Sequence, residues 1–219
     1  MKPVRTVISG NVVLMLLVLL TLALSGPRPA AAGGPADVQS TTVSWHAQSG
    51  SGIVPGAWAS LVRSDQGATF TFHATQLNPG HVYTIWFVIV NDPAACATSP
   101  CTPADIILNS AGVSSDVTYG AGHLAGNSGQ ASFSGHIPAG ALANAWYGPG
   151  FTNLRGAEIH LVLNDHGPML PSLVSDMLHT YRGGCTTESL PAIFPATAIA
   201  DGIPGPNTCR LYQTAIFQP

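Results

Sequence analysis

The sequence predicts an all-β fold, an antiparallel β-sandwich of about eight strands with at most one or two short helices. Three observations carry that prediction. Short apolar runs recur along the 219-residue chain with Gly, Pro, Asn or Asp between them. Several of these runs alternate apolar and polar side chains with the period of a half-buried strand. Apolar residues make up 46% of the chain and charged ones only 8%, enough for a packed core and too few charges for a coiled coil.

Taken in order, residues 1–32 read as a cleaved secretory leader. Lys2 and Arg5 precede a 13-residue run from Val12 to Leu24, apolar except for Thr21, and Ala30-Ala31-Ala32 supplies the small-residue cleavage site. The run is short of the roughly 20 residues a membrane span needs. Residues 33–40 read as a flexible N-terminal segment and 41–219 as a single β-sandwich domain. Strands are expected over 41–47, 58–63, 68–76, 82–90, 116–125, 130–137, 157–163 and 210–217. In the third, Phe70 and Phe72 alternate with Thr69, Thr71 and His73, so one face is buried and the other wet. The fourth differs: Tyr83, Ile85, Trp86, Phe87, Val88, Ile89 and Val90 are apolar on both parities, as in a strand covered on both faces.

Gly126-Asn127-Ser128-Gly129 reads as a hairpin turn joining the fifth and sixth strands. Its register puts Leu124, Ala131, Phe133 and Ile137 on a core face and Tyr119, His123, Ser132, Ser134 and His136 on the other. A short helix is expected within 170–181, between Pro168 or Pro171 and Gly183-Gly184, with Leu173, Val174, Met177 and Leu178 on one side.

Charge excludes several partners. Of seven basic residues, Lys2, Arg5 and Arg28 leave with the leader, so four remain against ten acidic, a net charge of −6. Such a chain cannot neutralise a row of phosphates, so no nucleic acid is expected as partner. It has no cationic patch for anionic lipid and no second run long enough to span, so no stable membrane insertion is expected after cleavage. The expected location is secreted or periplasmic, where the ligand would be met.

The four cysteines fit an oxidising compartment. Three pairings exist; Cys96–Cys101, which flank a turn-forming stretch, with Cys185–Cys209 is the preferred one. A four-cysteine zinc site normally takes its ligands as close pairs, and Cys185 and Cys209 are 24 apart.

Eight histidines are the chemical feature to test. Glu158 and His160, two apart on a strand, project from one face about 6.5 Å apart and suit zinc or copper. His166 would join them only if the chain turned near Asp165 and Gly167-Pro168, because a straight strand separates His160 from His166 by about 20 Å. His123 or His136 would complete the set from the hairpin, where the register places them about 13 Å apart. Blue copper fails for want of a cysteine with a nearby histidine, and the His-x-His of a copper–zinc dismutase is Glu158-x-His160 here. Gly126-Asn127-Ser128-Gly129-Gln130 lacks the last glycine of a serine elbow. With two glutamates, no carboxylate pair for glycoside hydrolysis can be named. For ligand binding, Trp146 and Tyr147 lie in a loop with Gly148-Pro149-Gly150, where exposure is expected, and Arg155 closely precedes the Glu158–His160 strand.

Several of these segments carry a resemblance. Tyr83-Thr84-Ile85-Trp86 with Asn91 and the Cys96–Cys101 pair, Tyr119-Gly120-Ala121-Gly122-His123, Arg155-Gly156-Ala157-Glu158-Ile159-His160, His166-Gly167-Pro168 and Gly183-Gly184-Cys185 together resemble a group of uncharacterised secreted bacterial proteins. The likeness spans residues 69–217 and brings no activity with it. More remotely, a strand histidine followed by a His-Gly turn is similar to the CHRD β-sandwich domain, whose tight His-x-His arrangement is absent here. The resulting expectation is a secreted, disulfide-stabilised module that binds a ligand or serves a structural role, rather than an enzyme. The alternative is a zinc- or copper-binding protein using the strand histidines.

Overall fold

Alternating strands leave one row of apolar side chains each, and the chain buries those rows by curling its strands around a common interior. The computed structural model describes residues 36–219, and the expected leader lies outside them. Eight strands form: β1 (Asp37–Trp45), β2 (Ile53–Ser64), β3 (Gly67–Ala74), β4 (His81–Val90), β5 (Ser115–Leu124), β6 (Ala131–Pro138), β7 (Glu158–Pro168) and β8 (Arg210–Phe217). Each expected strand is present. The first begins earlier than expected: Asp37 to Ser40, read as part of a flexible segment, pair with Arg63 to Ser60 of β2. The backbone ladder, invisible in the composition of a mostly polar tetrapeptide, is what orders them.

The architecture departs from the expected sandwich. All eight strands belong to one antiparallel sheet in the order β5-β4-β7-β8-β1-β2-β3-β6, which curls into a nearly closed barrel. β8 is the strand that makes the difference. It pairs with β7 over most of its length and with β1 at Ser44↔Thr214 and Trp45↔Gln213, joining what would otherwise be two sheets.

The expected β5–β6 hairpin is not a ladder pair: β5 pairs with β4 and β6 with β3. The turn itself forms, with Gly129 at φ 63° and its N–H donating to Gly126 O at 3.1 Å. The strands it joins lie at the two ends of the sheet and meet across the barrel's seam. A Cβ on Gly135 would stand 2.8 Å from Gly120 O, and one on Gly120 would stand 2.9 Å from Phe70 Cζ. The closest approach therefore needs two glycines over one phenyl ring. Ala131, Phe133 and Ile137 face the interior as expected, but Leu124 is 39% exposed, because β5 takes its register from β4.

The interior is one cluster that includes Leu61, Phe70, Phe72, Ile85, Phe87, Phe133, Ile159, Leu161, Leu163 and Phe217. Arg63 closes one end, wholly buried. Its Nη1 donates to Ala157 O at 2.7 Å and its Nε to Gln39 Oε1 at 3.1 Å.

A second cluster lies outside the barrel wall. Trp86, Val88, Val90 and Val117 of β4 and β5 meet Cys101, Ile106, Trp146, Tyr181, Leu190 and Ala198 of the connecting segments. β4, apolar on both parities, thus divides Tyr83, Ile85, Phe87 and Ile89 to the interior from Trp86, Val88 and Val90 to the cover. The cover is mostly irregular, with three short helices, α1 (Ser110–Val113), α2 (Val174–His179) and α3 (Ala196–Ala200). The second lies within the expected helical stretch and buries Met177. Both preferred disulfides are present, Cys96–Cys101 and Cys185–Cys209. In the chain-entropy account they contribute about 2 and about 3.5 kcal/mol. No helix among the described residues is long and apolar enough to cross a membrane.

Candidate functional site

Between the barrel wall and its cover is a cavity of about 260 Å³. The wall contributes outward side chains from adjacent strands, because Val117, Val88, His160 and Ile216 pair across one rung and Trp86, Val162 and Thr214 across the next. The cover contributes Ile106, Trp146, Tyr181 and Phe194. His46 and Gln48, just beyond β1, also line it, and the exposed Gln48, Pro103 and Ile193 mark its mouth. An apolar cavity of roughly 150 Å³ accommodates benzene, so this one has room for about two rings.

The aromatic groups form a connected set. Trp86 lies 5.3 Å from Trp146 and 5.3 Å from Tyr181, and Trp146 lies 5.2 Å from Phe194, all between ring centroids. Thr84 fixes the Trp86 indole by accepting its Nε1–H at 3.0 Å. The Trp146 indole N–H is buried with no partner.

One polar pair stands in the wall. His160 Nε2 lies 2.5 Å from Glu158 Oε1. Glu158 also accepts the Cys101 N–H at 2.8 Å and the Gln218 side-chain amide at 2.7 Å. Burial pushes the Glu158 carboxyl up, but His160 and these two donors outweigh it and hold it below the usual carboxylate value. Glu158 therefore sits ionised under the first disulfide, and its partner His160 lines the cavity.

The remaining expected metal ligands are elsewhere. β7 continues through Pro168 without the turn that would bring His166 back, so His160 and His166 stay about 20 Å apart along the strand. His166 is instead a buried tie between wall and cover. Its Nδ1–H donates to Gly183 O at 2.8 Å, and its Nε2 accepts from the Thr84 hydroxyl at 2.8 Å. Burial lowers its pKa to about 4, so the ring is neutral. His123 is exposed at the seam with its ring 5.8 Å from Phe133, and His136 Nδ1 pairs with Thr69 Oγ1 at 3.0 Å on the open side of the barrel. Glu158 and His160 are thus together, and the other three do not join them. Among the described residues, the trio of donor atoms lying within 4.8 Å of one another is His166, Cys185 and Cys209. Both sulfurs there are held in the second disulfide, so neither is a thiolate ligand for zinc or copper.

The expected exposed aromatic platform is not formed. Trp146 is 6% exposed and packs into the cavity wall. Tyr147 points the other way: its hydroxyl donates to Ile106 O at 3.2 Å, and burial raises its pKa to about 12. The loop is folded down because the Asp116 carboxylate accepts the Gly150 N–H at 3.0 Å and the Tyr147 N–H at 3.4 Å. Arg155 pairs with Asp65 at 3.0 Å, away from the cavity lining. Sequence reasoning missed His46, Tyr181 and the cavity role of Trp86. The available signal was β4 itself: a strand apolar on its outer parity needs something to cover it.

Fold and site together define a disulfide-stapled antiparallel β-barrel with a covered outer wall and an apolar cavity beneath the cover. No protein-family model, no curated protein and no solved structure matches the chain.

Proposed function

We propose that this is an exported binding protein that takes a small, largely apolar molecule into the cavity between barrel wall and cover. The observation that carries the reading is the cavity itself, lined by Trp86, Val88, Trp146, Val162 and Phe194 with few polar groups. Small-molecule sites have that character, apolar and aromatic walls with a few placed polar atoms. Export is supported by the leader pattern of residues 1–32 and by two disulfides, which persist in oxidising compartments. Cys185–Cys209 ties the cover to the residue before β8, so part of the cavity wall is ordered before a ligand arrives, which lowers the ordering cost of binding.

The test is a titration with the neutral two-ring fluorophore N,N-dimethyl-1-naphthylamine. Saturable enhancement at one site per chain is expected. It should be abolished by Val162→Trp, which fills the cavity, and retained by Trp58→Ala on the open side. Absence of saturable binding, or equal binding to Val162→Trp, would overturn the proposal.

A further inference from the structure

The polar atoms around the cavity are few, and their hydrogen-bonding state can be read. His160 is 7% exposed and Tyr181 1% exposed, and both line the cavity. A carboxylate only accepts, so the contact with Glu158 Oε1 places a proton on Nε2, and in the neutral imidazole Nδ1 is then the acceptor. Neither His160 Nδ1 nor the Tyr181 hydroxyl has a partner among the described residues. Neither is among the sealed unpartnered atoms, which are Trp146 Nε1, Arg182 Nε and Gln213 Oε1. Both atoms are therefore reachable from the cavity, and a neutral ring nitrogen there is free to accept from a donor.

From this we infer the chemical class of the ligand, an inference that rests on the binding role proposed above. The cavity selects one- or two-ring apolar molecules that carry a hydroxyl group. The ligand O–H donates to His160 Nδ1, and Tyr181 supplies a second polar contact. An ether or carbonyl ligand would set acceptor against acceptor at Nδ1. Glu158 acts through His160: three donors hold it as an anion, and it fixes the tautomer that makes Nδ1 the acceptor.

Displacement of bound N,N-dimethyl-1-naphthylamine by naphthalene, 2-naphthol and 2-methoxynaphthalene tests this. In the wild-type chain 2-naphthol should compete about tenfold better than naphthalene, the worth of one neutral hydrogen bond in a buried site. The methoxy compound should do no better than naphthalene. His160→Leu should retain naphthalene binding and lose the preference. Glu158→Gln, whose amide can donate to Nε2, should turn Nδ1 into a donor and raise 2-methoxynaphthalene relative to 2-naphthol. Equal competition by naphthalene and 2-naphthol, or a preference that survives His160→Leu, would overturn the inference while leaving the binding role standing. Failure of the fluorophore and all three competitors to bind would overturn both.

Discussion

The two halves of the barrel's outer surface are built on the same interior and have opposite chemistry. On the β5-β4-β7-β8 side the outward residues are Trp86, Val88, Val117 and Val162, covered by the connecting segments. On the β1-β2-β3-β6 side the rungs read Thr42, Trp58, His73, Ser132 and then Ser40, Ser60, Thr71, Ser134. No element among the described residues covers them, and neither rung contains an Asp, Glu, Lys or Arg side chain. Both sides satisfy their backbones through ladders, so the difference lies entirely in side chains. The covered wall creates an apolar space that can hold a ligand. The open wall is held by cross-strand polar pairs, such as His73 Nδ1 with Ser132 Oγ at 3.0 Å.

The sharpest way to break this contrast is to truncate one tryptophan on each side. Trp86→Ala should cost about 4 kcal/mol, because it empties the centre of the covered cluster. Trp58→Ala, 46% exposed and stacked on His73, should cost about 1 kcal/mol or less. Urea denaturation of both variants decides, and equal costs would mean the two walls do not differ as described.

Opening the second disulfide with Cys185→Ala and Cys209→Ala should cost about 3.5 kcal/mol, against about 2 kcal/mol for Cys96→Ala with Cys101→Ala. Calorimetry should show the Cys185/Cys209 double variant lowering Tm more, since it frees the longer stretch of cover.

Acid should weaken the covered side next. His166 binds its proton near pH 4 when folded and near 6.5 when unfolded, so between those values the unfolded chain holds more protons. Stability is therefore full above about pH 6.5 and falls as pH drops toward 4, by about 3 kcal/mol. The Glu158 carboxyl, held low, adds a loss below its ordinary value in the same direction. Stability measured at pH 7 and pH 4.5 should differ in the wild-type chain and differ much less in His166→Gln. A wild-type chain insensitive over that range would contradict the buried tie.

The smallest effects belong to the open wall. Thr71→Ala and Ser134→Ala should each stay within about 0.5 kcal/mol. A larger loss in either, by the same urea measurement, would show that this face also contacts something.

Much of this contrast was legible before any coordinates. Phe70 and Phe72 among Thr69, Thr71 and His73 announce a strand wet on one side, and the unbroken apolar run of β4 announces one dry on both. Pairing was not legible. Gly126 to Gly129 carries good turn chemistry and makes its turn, yet the strands beside it find other partners, because ladder choice is a competition among all edges. The candidate site was legible at Glu158 and His160, whose two-residue spacing holds on any strand, and at Trp146, named as a binding residue though expected exposed rather than packed into the cavity wall. The other cavity residues, His46, Tyr181 and Phe194, are scattered over more than a hundred positions, and no local pattern connects them.

By itself the sequence determined where most strands lie, the buried parity of β3, β4 and β6, the cysteine pairing it preferred and the scarcity of basic residues. Each follows from period, spacing or count, which are properties of a few adjacent residues. Only the tertiary structure decided that β8 would join β7 to β1, that Gly120 and Gly135 would meet at a seam, and that the cover would leave a space beside His160. Those outcomes depend on which distant surfaces fit best together, a comparison that no stretch of chain contains.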